Sequence, residues 1–138
     1  MKQRILFICT HNSARSQLAE GLVNHYFAEA WEAQSAGTVA TAVKPHAIRT
    51  MADIGIDISH HTSKPLDAFR DQEFDVVVTV CDSAREACPF FPGKTVIHHS
   101  FKDPSHVEGH DDERLAAFCQ TRDEIHAWLR RTLPVLAR

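Results

Sequence analysis

The 138-residue chain predicts a single α/β domain, an open four-stranded parallel sheet with helices on both faces. Three observations carry this. Short apolar runs alternate with stretches of helical periodicity along the whole chain. The runs Ile5-Leu6-Phe7-Ile8 and Val76-Val77-Val78 are continuously apolar, as strands covered on both faces are. Cys9, Cys81 and Asp103 each follow an expected strand end, on the rim where such folds bind ligands.

The elements follow in order. Arg4 to Cys9 is the first strand. A helix runs from about Ala14 to Ala30, with Leu18, Leu22, Val23, Tyr26, Phe27 and Ala30 at helical spacing and its aromatics expected in the core. Glu32 to Ala36 is a short strand ended by Gly37. Pro45 opens a helix as a first-turn proline, and Gly55 stops it. Residues 56–63 are irregular. A short helix starts at Pro65 and reaches about Arg70. Phe74 to Val80 is the third strand. Ser83 to Glu86 has capping-box spacing, so a brief helix begins there and ends by Pro89 and Pro92-Gly93. Lys94 to His98 is the fourth strand. A polar loop leads to a last helix, Asp111 to about Leu133, whose acidic start suits the positive helix end. Its apolar stripe is Leu115, Phe118, Cys119, Ile125, Leu129 and Leu133.

A net charge of −3 gives no basic field for nucleic acid, and 43% hydrophobic residues argue against disorder. No apolar run is long enough to span a bilayer, and the N-terminus resembles a strand more than a leader. The expectation is a cytoplasmic protein acting as a monomer. In that compartment four cysteines point to catalytic or redox work more than to structural disulfides.

Cys9-Thr10-His11-Asn12-Ser13-Ala14-Arg15-Ser16 is the stretch with chemistry. It lies between a strand and a helix start, where backbone N–H groups converge and the helix dipole is positive. Thr10 to Arg15 would wrap an oxyanion, and the Arg15 guanidinium adds a planar fork suited to it. The same field favours the thiolate of Cys9, a nucleophile beside a bound electrophile. Asn12 tolerates the left-handed backbone a tight loop needs. Ser16 places a hydroxyl where it can bond the thiolate. His11, His60 and His61 are expected at the surface or in loops, with His11 near the anion.

Cys81 and Cys88 flank the brief helix. Seven helical steps rise ~10.5 Å, too far for a disulfide, whose Cα atoms lie within about 7 Å. They could bridge only if that helix melted, and a helix so short is marginal. A thiol relay with Cys9 accounts for both. Asp103, stiffened by Pro104, can donate a proton to a leaving oxygen. His98, His99, His106 and His110 lie among acidic residues without metal-ligand spacing, so no metal site is expected. Cys119 falls on the apolar stripe as packing.

With these residues assembled, the chain resembles the thioredoxin-coupled arsenate reductases, which share the low-molecular-weight protein tyrosine phosphatase fold. The resemblance rests on Cys9 through Gly21, Ser35-Ala36-Gly37, Val80-Cys81-Asp82 through Cys88-Pro89, and Asp103-Pro104. It implies that Cys9 attacks arsenate held by the loop and Arg15, that Asp103 protonates the departing oxygen, and that Ser16 steadies the thiolate. Cys81 and then Cys88 carry the disulfide outward, and thioredoxin reduces it. No bound cofactor is implied, and phosphate or sulfate should compete for the loop. Some relatives hold potassium near Asn12, Glu20 and Ser35 and have an acidic residue where Lys64 stands; here Lys64 would supply that charge. The phosphatases carry aromatic residues after their Asp-Pro, where Ser105 and His106 stand here. A phosphatase, or a redox and oxyanion sensor without turnover, are the alternatives.

Overall fold

A computed structural model of the chain describes residues 2–81 and 91–136. Its elements are β1 (Gln3–Cys9), α1 (Arg15–Tyr26), β2 (Trp31–Gly37), α2 (Pro45–Ala52), β3 (Val76–Thr79), β4 (Thr95–His98) and α3 (Asp111–Leu136). Two 3-10 turns, Leu66–Phe69 and Pro104–His106, lie in the connections. All strand pairs are parallel, in the order β2-β1-β3-β4. From β1 the chain steps to β2 on one side and then crosses to β3 on the other. The strand order therefore reverses between β1 and β3, which opens a crevice at their C-terminal ends.

Successive residues of β1 point to opposite faces, as strand geometry requires. Ile5 and Phe7 join Val76 and Val78 against Leu18 and Leu22 of α1 and Ile125 and Leu129 of α3. Leu6, Ile8 and Val77 face the other way, onto Phe69, Phe74 and Phe91. The first face carries α1, α2 and α3, and among the described residues the helical cover of the second is the 3-10 turn Leu66–Phe69. Both faces of β1 and β3 are thus buried, which is why those strands are continuously apolar.

Several bounds differ from the sequence expectation. Helix α1 stops at Tyr26, because the N–H groups of Ala30 and Trp31 both turn back to the Phe27 carbonyl and start β2 one residue early. Tyr26 is 46% exposed and not core: its ring stacks on His126 at 4.6 Å. The segment after Pro65 forms a 3-10 turn, not an α-helix. β3 is shorter than expected, although its neighbours extend the bonding: Asp75 N–H donates to Arg4 O and Val80 N–H to Ile8 O. Helix α3 runs on through Pro134 to Leu136. Cys119, half-buried, is a free thiol that accepts the Thr50 hydroxyl at 3.0 Å and so ties α3 to α2. The brief helix expected at Ser83 lies outside the described residues.

Histidines make the fold acid-sensitive. Burial, as the leading cause, lowers the proton affinity of His126, and Arg130 adds to it. Burial also leads for His61, against an opposing pull from Glu20. Such groups are held neutral in the folded chain, so the unfolded chain binds protons first. Their stabilisation is complete above the ordinary histidine value of about 6.5 and is lost as pH falls below it. The urea midpoint should therefore fall between pH 7.5 and 5.5, and less steeply in His126→Gln. A flat or rising midpoint over that range would contradict the assignment.

Candidate active site

Cys9 ends β1 and pairs in register with Gly37, the last residue of β2. The chain then turns through Thr10–Ala14 and enters α1 at Arg15. That helix start has no side-chain cap and no acidic residue in its first turn. The first N–H groups of a helix have no partner within the helix itself, and an anion can bind there. Asn12 sits at φ 51°, the left-handed conformation that lets the loop close. Asn12, Ser13, Ala14 and Arg15 are buried, Thr10 is half-buried, and His11 is exposed.

A chain of oriented hydrogen bonds lies beneath the loop. The Ser35 hydroxyl donates to Glu20 Oε1 at 2.6 Å. Asn12 Nδ2 donates to Ser35 Oγ at 2.9 Å and to Ser16 Oγ at 2.8 Å. Ser16 Oγ also lies 2.8 Å from Cys9 Sγ, a contact in which either group can donate. The Ser35 proton goes to Glu20 and the Asn12 amide donates to both hydroxyls; once Cys9 is a thiolate, with no proton to give, Ser16 is the donor to it. Asn12 Oδ1 in turn accepts Gln17 Nε2 at 2.9 Å and Lys64 N–H at 2.8 Å. Ser16, expected as the thiolate's partner, occupies that position.

His61, expected at the surface or in a loop, lies in a loop but is turned inward. Its side chain is only 10% exposed, with Nδ1 2.9 Å from Gln17 Oε1 and Nε2 3.5 Å from Glu20 Oε2. Gln17 and His61 are the functional-site residues that sequence reasoning missed. The sole signal for Gln17 was its place one residue after Ser16.

The opposite wall comes from β3 and the loop after β4. Arg15 is 3% exposed; Nη1 donates to Phe101 O at 3.2 Å and to Val80 O at 3.4 Å, and Nη2 lies 3.5 Å from Asp103 Oδ2. Asp103 caps the turn Pro104–His106, accepting the Ser105 N–H at 2.9 Å. Cys81 follows Val80, whose N–H bonds Ile8 O, so it stands beside the end of β1 and is fully buried. Cys81 is disulfide-bonded, whereas Cys9 is a free thiol. Cys88 lies outside the described residues. The expected Cys9, Arg15, Ser16, Cys81 and Asp103 therefore meet at the crevice between β1 and β3. No group of three or more His, Cys, Asp or Glu that could hold a metal occurs among the described residues, and no described helix is long and apolar enough to cross a membrane.

Residues 4–137 match the family described as low molecular weight phosphotyrosine protein phosphatase. An arsenate reductase from Halalkalibacterium halodurans is 46% identical over 125 residues, 90% of each chain. The chain belongs to this phosphatase family, on its arsenate reductase branch. A solved arsenate reductase in the phosphate-binding state superposes with a TM-score of 0.82 at 28% identity, over 97% of this chain and 98% of that one. A thioredoxin-dependent arsenate reductase from Corynebacterium glutamicum gives 0.71 at 30% identity, over 98% of this chain and 62% of that one.

Beside Glu20 the chain supplies a cationic charge of its own. Lys64 Nζ lies 3.7 Å from Glu20 Oε1 and donates to Thr62 O at 3.0 Å. The pocket already contains a cation, and Asn12, Ser35 and Glu20 are bonded to one another.

Proposed function

We propose that the chain reduces arsenate to arsenite by a three-cysteine relay recycled by thioredoxin. Arsenate sits over the loop amides and Arg15. Cys9 sulfur bonds arsenic, and one As–O bond breaks. The departing oxygen takes a proton from Asp103 and leaves as water. Cys81 sulfur then attacks Cys9 sulfur. The S–As electron pair stays on arsenic, which leaves as arsenite, and two thiols have become one disulfide. Cys88 attacks Cys81, which releases Cys9 and moves the disulfide to Cys81 and Cys88 for reduction by the thioredoxin dithiol.

The observation that carries this reading over a phosphatase is Cys81, disulfide-bonded at a strand end beside a free Cys9. A phosphatase needs Cys9, Arg15 and Asp103 but no second thiol. The thioredoxin-dependent neighbour supports the choice of reductant. Lys64 in place of a bound ion supports activity without potassium.

The experiment is arsenate-dependent NADPH oxidation coupled through thioredoxin and thioredoxin reductase. Wild type should turn over steadily, at equal rates in sodium and potassium salts, and Cys88→Ser should stop after at most one turnover. Equal rates for the two proteins would remove Cys88 from the reaction. No oxidation, with hydrolysis of an aryl phosphate instead, would make the chain a phosphatase.

A further inference from the structure

We infer that His106 is the proton relay that recharges Asp103 between turnovers, an inference that rests on Asp103 acting as the general acid. Asp103 and His106 stand three residues apart across the turn Pro104–His106. In a 3-10 turn such residues eclipse, so both side chains lie on one side. His106 Nε2 is 3.4 Å from Asp103 Oδ2, and its ring is 66% exposed. It therefore touches the acid at one end and water at the other.

The rest of the site gives a relay a task. Asp103 is largely covered, with 17% of its side chain exposed. Oδ1 is held by the Ser105 N–H. Oδ2 lies 3.5 Å from the Arg15 guanidinium. After each proton donation Asp103 is a carboxylate opposite a cation, and the next arsenate needs it protonated. Proton return must reach Oδ2, the oxygen that His106 borders. Imidazole changes charge near neutrality and has two nitrogens, so it can take a proton from water at Nδ1 and deliver one from Nε2. The balance is one proton in from solvent and one onto Oδ2, with the ring left neutral. As an ion pair this exposed contact would add little to stability, so its removal leaves the fold intact.

The test is steady-state arsenite release with thioredoxin and thioredoxin reductase in excess, in dilute buffer, with and without added imidazole, in wild type, His106→Gln, Asp103→Asn and the double variant. His106→Gln should release arsenite about tenfold more slowly, a part of what general acid catalysis supplies. Phosphate inhibition should be unchanged, and imidazole should restore most of the rate. Asp103→Asn should be slower still and unresponsive to imidazole, and the double variant no slower than Asp103→Asn. If His106→Gln matches wild type in dilute buffer while Asp103→Asn is slow, the relay is overturned and the acid stands. Slowing that imidazole does not relieve, with weakened phosphate inhibition, makes His106 structural and also overturns it. Asp103→Asn at the wild-type rate removes the acid reading, and the relay with it.

Discussion

Cys9→Ser is expected to abolish arsenate reduction while leaving the oxyanion site in place. The two functions come from different atoms. Binding is assigned to the backbone amides at the uncapped start of α1 and to the Arg15 guanidinium, none of which the substitution touches. Chemistry is assigned to one sulfur, 2% exposed and 2.8 Å from Ser16 Oγ. A serine hydroxyl is a much weaker acid than a thiol and has no comparable anionic form near neutrality. It also cannot form the disulfide that ends the first half-reaction. Turnover should fall at least about a thousandfold. Phosphate affinity, measured by calorimetry, should stay within a few-fold of wild type. Residual turnover at a tenth of the wild-type rate would mean that another thiol opens the reaction. Loss of phosphate binding would mean that the sulfur itself holds the loop shut.

The parts of this site that were legible in the sequence are those encoded locally. Cys9, Asn12, Arg15 and Ser16 fall within eight residues, and a strand before them and a helix after them fix where they point. Asp103 and Cys81 were legible at one remove: parallel strands all end on the same rim, so residues just past strand ends must converge. His61 was not legible in this way. It reaches Gln17 across 44 positions, from an irregular stretch that has no period to report a face. Tyr26 was misplaced for a related reason. Helical spacing reports which residues share a face, but Tyr26 is the last residue of α1, and α3 offers His126 as a stacking partner near the surface. The last helix, expected to end at about Leu133, runs on through Pro134; the proline loses one backbone bond, but Leu133 and Leu136 beside it still pack on the core. Tertiary burial outweighed a local preference there.

Gly37→Ala is the second large effect, and it should remove the binding that Cys9→Ser spares. The end of β2 lies directly under the loop. A Cβ on Gly37 would stand 2.7 Å from Asn12 N, 2.8 Å from Thr10 O and 2.9 Å from His11 C. All three are backbone atoms of the loop, so no side chain can swing away to make room. Gly37 cannot retreat easily either, because its N–H bonds Lys64 O and its strand pairs with Cys9. The loop must rise, and Asn12 with it. Asn12 Nδ2 bridges Ser35 and Ser16, so the oriented chain from Glu20 to Cys9 breaks at its centre. Overpacking of this kind costs about 1–3 kcal/mol. The expected result is a lowered urea midpoint, phosphate binding weakened at least tenfold, and arsenate turnover reduced a hundredfold or more. Gly21→Ala is the control. Its Cβ meets Met51 Cε at 2.8 Å and Ile58 Cγ2 at 2.9 Å, the ends of side chains in the core beneath α1. It should lower stability yet keep phosphate affinity. If Gly37→Ala instead bound phosphate as tightly as wild type, the loop would owe its shape to α1 and Arg15 alone, and β2 would serve only as its neighbour.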